Sequence, residues 1–188
     1  MPNFPIYVQY GWTPKSHFRA AAIIRSMSYD NLTAHKTESE IGWGVLASAT
    51  FNVMNRLQVY GQGVYGKGIG QFLNDMSLLN VDVVPNPEKE GKMQVLPMMG
   101  WFAGMQYNFS PKVFITSTYG QSRLYSHDGY PTTPSEQYRY GQYLNATLFW
   151  NITSDLQVGA EYLRGWRTDF NGDTRHANRM NLAVQYSF

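Results

Sequence analysis

Along most of this chain apolar and polar residues alternate with a period of two, the signature of strands with one apolar and one polar face. The pattern is clearest over 39–53. Ile41, Trp43, Val45, Ala47, Ala49, Phe51 and Val53 share one face, and Glu40, Gly42, Gly44, Leu46, Ser48, Thr50 and Asn52 share the other. The stretch 138–150 repeats it, with Tyr138, Tyr140, Gln142, Leu144, Ala146, Leu148 and Trp150 opposed to Arg139, Gly141, Tyr143, Asn145, Thr147 and Phe149. Reading the other alternations in the same way predicts nine strands, at 4–12, 16–27, 39–53, 57–67, 95–109, 113–124, 136–150, 156–167 and 176–188. Several exceed the ~5–6 residues usual in globular sheets. Short turns (13–15, 54–56, 110–112, 152–154) alternate with longer connections (28–38, 68–94, 125–135, 168–175).

Long two-faced strands with short turns at one end and long loops at the other predict an all-β, antiparallel transmembrane β-barrel. In hydrocarbon such a sheet must close, because an open edge leaves backbone groups unpaired. A soluble β-sandwich or ligand-binding β-barrel shows the same alternation, with its apolar face turned inward. Large aromatics at the ends of the apolar face (Trp43, Phe51, Trp150, Tyr186, Phe188) instead suit an interfacial girdle, and all six lysines fall in connections or at strand ends.

Composition strengthens this picture. Aromatic residues make up 15% of the 188 residues and charged residues also only 15%, below the ~25% charged of a typical soluble domain. A net charge of +2 removes an overall electrostatic case for nucleic-acid binding. With no cysteine, disulfide frameworks, thiolate metal sites and cysteine nucleophiles are all excluded. No stretch approaches the ~18 apolar residues of a membrane helix, and no signal-peptide pattern opens the sequence.

With the short turns on the periplasmic side, Phe188 sits at the periplasmic rim and the first strand runs downward from outside. Nine strands are odd, whereas complete bacterial barrels have an even count. The chain is therefore expected to be a single barrel domain over 1–188 or, preferably, the C-terminal portion of a larger barrel, with its longest outer loop at 68–94.

The runs SHFRAAAIIRSMSY, ESEIGWGVLASATF, GWFAGMQYNFSPKVFITSTYGQSRLY, YRYGQYLNATLFWNITSDLQVGAEYLRG and the ending MNLAVQYSF resemble the DcaP-like family of outer-membrane porins, its Bacteroidetes members in particular. The resemblance spans nearly the whole chain and matches the C-terminal half of such a porin. It implies a roughly 16-stranded barrel, assembly as a homotrimer, location in the bacterial outer membrane, and passage of small, often anionic solutes such as dicarboxylates. It also implies that Leu182, Val184, Tyr186 and Phe188 are the terminal signal read during barrel assembly. A small structural or adhesive barrel without a conducting pore stays open as an alternative.

If the aromatic face meets lipid, the opposite parity lines the lumen. The charges expected there are Arg19, Arg25, Arg123, Arg139, Arg167 and Arg179 against Glu40 and Glu161, a balance that favours anions. Arg25 and Glu40 are expected to form a structural pair across the 28–38 connection. Arg164 falls on the lipid parity. In the 68–94 loop, Ile69, Phe72, Leu73, Met76 and Leu79 recur at helical spacing, which suggests a short amphipathic helix; the loop either folds into the lumen as a constriction, caps the exterior or touches another subunit.

Gly61-Gln62-Gly63-Val64-Tyr65-Gly66-Lys67 imitates a phosphate-binding loop, but Gly68 stands where a P-loop needs Ser or Thr, and no long helix follows. Strand bending or room for close packing explains these glycines better. The four histidines are scattered without metal-ligand spacing, so no catalytic site, metal or cofactor is expected.

Overall fold

The structure is a computed structural model that describes residues 3–134 and 136–188. Its strands are β1 (Asn3–Thr13), β2 (Ser16–Asn31), β3 (Lys36–Met54), β4 (Leu57–Lys67), β5 (Val83–Pro85), β6 (Met93–Val95), β7 (Pro97–Asn108), β8 (Val113–Leu124), β9 (Tyr138–Asn151), β10 (Leu156–Asp169) and β11 (Thr174–Tyr186). Nine of them form one antiparallel sheet in the order β1-β2-β3-β4-β7-β8-β9-β10-β11, and β5 and β6 make a separate small hairpin. None of the described helical segments is long and apolar enough to cross a membrane, which says nothing of strands.

The alternation sets the register. Each strand places its apolar residues opposite those of its neighbour, since a slip by one residue would invert a whole face. Trp43, Val45, Ala47, Ala49 and Phe51 lie on the same face as Ile24, Tyr65, Trp101, Leu144, Trp150, Leu182 and Val184. This aromatic face is uncovered: Val45 is 50% exposed, Leu148 48% and Leu182 83%. The strands are also staggered. The hydrogen-bonded row through Phe18, Ala49, Gly61, Ala103, Tyr119, Leu144, Arg164 and Asn178 begins beside the 14–15 turn and ends well above Leu156 and Tyr186. Such stagger is what the tilted strands of a barrel require. The sheet is nevertheless open, because β1 and β11 each pair on one side only.

Two connections expected to be long are tight turns. β2 and β3 continue to pair up to Asn31 and Lys36, and β10 and β11 up to Thr168 and Thr174. Polar cross-strand bonds carry these extensions: Ser28 to Ser39 at 3.0 Å, Thr37 to Asp30 at 2.9 Å, and Thr168 to Thr174 at 2.8 Å. The connections 68–96 and 125–137 remain long.

Between β4 and β7 the chain folds onto the other face of the sheet. Ile69, Leu73, Met76, Val81, Val84 and Leu96 cluster with Met98, Leu124 and Tyr138, packed against Ile23 and Val64. The helix expected here shrinks to one 3-10 turn, Gly70–Phe72, followed by turns. Gly70, Asn74, Asp75 and Ser77 are weak helix formers; the Gly70 amide bonds to Asp82 further along the segment, and the Asp75 carboxylate bonds to Ser122 on the sheet. Gly68 starts the departure with φ of +65°, a conformation few other residues adopt.

Candidate functional site

The face beneath the 68–96 segment is polar, rich in glycine and shaped to receive it. A side chain at Gly44 would meet Ile69, and one at Gly100 would strike Leu73. Two carboxylates of the segment hold it down. Asp82 binds the Arg25 guanidinium at 2.7 Å and also accepts from the Gly70 amide, while Arg25 donates to the Gly68 carbonyl at 2.7 Å. Asp75 accepts from the Ser122 and Tyr138 hydroxyls. Arg25 is 8% exposed, so its charge is neutralised inside this joint. It is Asp82, then, rather than Glu40, that pairs with Arg25; Glu40 lies opposite Met27 in the register. Beside the segment a cleft of about 500 Å³ remains open, lined in part by Tyr60, Gln62, Asn74, Thr118 and Tyr143.

The other charges of this face are divided. On β10, Arg167 donates to Asp169 at 2.8 Å and to the Glu136 carbonyl at 3.1 Å, beneath which Asp169 is fully buried. Arg175 adds a contact to Glu136 at 3.4 Å. Glu161 is saturated, accepting from Asn145 and Thr147 at 3.0 Å each and from Asn181 at 2.7 Å. Arg179 donates to Asn181 at 2.7 Å. Arg19 lies opposite Gln9 and Ser48, with its guanidinium 4.2 Å from the Tyr7 ring centre. Among the described residues neither Arg19 nor Arg179 forms an ion pair within 4.0 Å, and Arg179 reaches the Glu161 carboxylate only through Asn181.

Two expected members of this face lie elsewhere. Arg123 is opposite Met99 and Tyr140, which puts it with Trp101 and Tyr119 on the aromatic face. The alternation of β8 is weak at its upper end, where polar Gln121 shares this parity. Arg139 sits in a bulge that opposes Tyr138 to Asp169 and Tyr140 to Thr168. Tyr138 thereby turns under the segment, to the Ser122 hydroxyl, and the Arg139 guanidinium lies beside Tyr140. Arg164 is on the aromatic face, 5.0 Å from the Trp166 ring centre. Leu182, Val184 and Tyr186 line the aromatic side of the edge strand β11, and Phe188 follows it fully exposed. Asp75, Asp82, Ser122 and Tyr138 had no sequence signal beyond polar residues in or beside a long loop.

The fold recurs in solved structures. The outer-membrane channel DcaP of Acinetobacter baumannii superposes with a TM-score of 0.69 over 98% of this chain, at 17% sequence identity. The fold is that of an outer-membrane porin wall. This chain covers 62% of the DcaP chain. The NanC porin superposes with a TM-score of 0.51 at 10% identity, covering 99% of this chain and 93% of its own. No family model matches the sequence, and no curated protein matches it. The glycine motif that imitates a P-loop lies here within strand β4. Among the described residues no group of His, Asp or Glu is placed to hold a metal.

Proposed function

We propose that this chain is part of the wall of a bacterial outer-membrane porin that passes small solutes. The observation that carries this reading is a staggered, wholly antiparallel sheet with a continuous uncovered apolar face and a polar, occupied opposite face. Uncovered apolar area on that scale is untenable in water and fits lipid. The polar face then lines the lumen, and the 68–96 segment narrows it, leaving the cleft beside Tyr60 and Tyr143 as the passage. The short turns face the periplasm.

The edges support a larger barrel. Nine alternating strands make β1 and β11 run in the same direction. Joining them directly would create a parallel seam. An odd number of further strands gives an even, fully antiparallel barrel, and about seven more would reach the roughly 16 implied by the DcaP-like resemblance. On this reading the chain is the C-terminal portion, and the barrel forms a homotrimer, which chemical crosslinking in native membranes tests. Leu182, Val184, Tyr186 and Phe188 act as the terminal assembly signal. Deleting Phe188 is expected to lower insertion in cells more than stability in detergent, and unaltered insertion would remove that role.

Small anions, dicarboxylates among them, are the preferred solutes in this proposal. The support is narrower than six arginines: Arg25 and Arg167 are committed to carboxylates, which leaves Arg19 and Arg179 as the lumen guanidiniums able to attract a solute. R19Q/R179Q should lower the anion-to-cation ratio measured by reversal potential in a bilayer, most at low salt where screening is weak. An unchanged ratio would make these residues part of the wall only. The extent to which 68–96 covers the face favours one second reading, a structural barrel without conductance, which the absence of channel currents would select.

A further inference from the structure

The cleft beside the 68–96 segment differs from the rest of the polar face in its charge. Among the described residues no cation lines it, and its one ionisable acid is Asp75. Asp75 accepts the Ser122 and Tyr138 hydroxyls on the same oxygen, Oδ2, which leaves Oδ1 able to accept from another donor. Tyr60, Gly104 and Thr118 form one row of partners across β4, β7 and β8. The Tyr60 ring crosses that row. Its hydroxyl is 2.9 Å from the Thr118 hydroxyl, and a Cβ at Gly104 would lie 2.6 Å from one ring carbon and 2.7 Å from another. The ring therefore lies flat on β7, with one face on the backbone and the other toward the cleft. Phe102 packs beside it at 6.4 Å between ring centres, and Tyr143 and Phe72 add exposed rings to the lining. The side-chain amides of Gln62 and Asn74, also in the lining, make no hydrogen bond among the described residues.

A flat ring face, amides that donate and accept, and a carboxylate that only accepts are together complementary to a pyranose sugar. The C–H face of such a ring settles on the negative face of an aromatic ring, and its rim of hydroxyls needs donors and acceptors side by side. A small anion gains nothing here, because Asp75 repels it and no guanidinium answers. Arg19 and Arg179 stand on β2 and β11, outside the row. We propose that this cleft is a carbohydrate subsite, with Tyr60 as the platform, Gln62, Asn74 and Asp75 as the hydrogen-bonding groups, and a neutral mono- or disaccharide as the solute. Its volume of about 500 Å³ lies within the ~300–1,000 Å³ of pockets that hold small organic molecules. Toward the short turns, the same face of β4, β7, β8 and β9 continues without a charged residue. Gln58, Gln106 and Thr116 lie below the row, and Phe114 stacks on Phe149 with ring centres 4.8 Å apart. The subsite rests on the reading of this face as the lumen of a porin, and adds a neutral solute to the anions.

The test uses the protein extracted from native outer membranes in mild detergent and placed in a planar bilayer, with block of the ion current as the readout. Maltose is the probe. The comparisons are mannitol, which has the hydroxyls but no ring face, and choline, a cation that aromatic rings and a carboxylate also attract. Mannitol should need at least about tenfold more than maltose to block wild type equally. Tyr60→Leu should raise the half-blocking maltose concentration about tenfold, the effect of one lost ring face. Tyr60→Phe keeps the ring and should stay within about twofold of wild type. Asn74→Ala, at an exposed position outside the sheet, should raise the concentration about fivefold, the effect of one lost hydrogen bond. The maltose–mannitol difference in wild type carries the test even if Tyr60→Leu fails to insert. Equal block by maltose and mannitol, block by choline alone, or a Tyr60→Leu channel that responds like wild type overturns the subsite, and the porin reading then survives because current still flows. Absence of any current from wild type refutes the porin reading, and the subsite with it.

Discussion

Met76→Ala tests how the 68–96 segment is held. Met76 is 1% exposed, within the cluster of Ile69, Leu73 and Val81, and belongs wholly to the segment. Its backbone bonds, to Leu73 and from Leu79, do not depend on its side chain. Truncating a buried methionine to alanine costs ~2–5 kcal/mol, more where the surroundings cannot close on the void. The segment is tethered at both ends by β4 and β7, so partial collapse and a loss of about 3 kcal/mol are expected. That loss falls on local opening of the segment, not on the sheet. At ~1.4 kcal/mol per decade, the open population should rise roughly a hundredfold. Hydrogen exchange in detergent, read by mass spectrometry, should show that acceleration over 69–85 and no change over β10. Met76→Leu, which conserves volume, should stay within about tenfold of wild type. Equal acceleration of β10, or none over 69–85, would refute the idea that this cluster is a local fastening.

Gly66→Ala should destabilise the wall itself: a Cβ there would collide with the Trp43 carbonyl oxygen and lie 2.7 Å from the Gly44 Cα, so β3 and β4 must separate. A loss of at least about 1–3 kcal/mol is expected, seen as a lower temperature for the gel mobility shift that marks unfolding. Glu38 stands above the stretch Trp43–Val53, which already suffices for the ~9–11 residues a spanning strand needs; the Lys92 and Lys36 ammonium groups and the Tyr29 hydroxyl hold its carboxyl down at about 2. Because the folded value lies below the ordinary 4.5, this tie between β3 and the segment is at full strength above pH 4.5 and is lost as pH falls through about 2. Carboxyl-labelled NMR should find that titration, and Lys92→Gln should move it upward; a midpoint near the ordinary value in wild type would refute the tie.

The alternation made the nine strands and their two faces legible, because lipid-compatible and polar positions exclude each other residue by residue. It failed where polarity stopped alternating. The upper ends of β2 and β3 are held by Ser28, Asp30, Thr37 and Ser39, whose cross-strand bonds leave no apolar trace. Counting along weakly patterned strand ends puts Arg123 and Arg139 on the lumen side. A single bulge at Arg139 and neutral Gln121 were enough to defeat the count. Asp82 was invisible as the Arg25 partner because 57 residues separate them, and only the return of the segment onto the sheet brings them to 2.7 Å.

Lys67 pairs directly with Pro97, so the ladder between β4 and β7 is complete at the very point where 68–96 departs and returns. Beyond the Gly68 amide, which donates to the Leu96 carbonyl at 3.0 Å and closes the ladder, the departing stretch adds no strand to the nine-stranded sheet; its own β5–β6 rungs are separate. It behaves as a cassette seated in a finished frame. Because the entropic cost of a closed loop grows only slowly with its length, lengthening, shortening or exchanging the cassette changes what occupies the face without re-aiming any strand. Evolution, or an engineer, can therefore vary the contents of this protein independently of its scaffold.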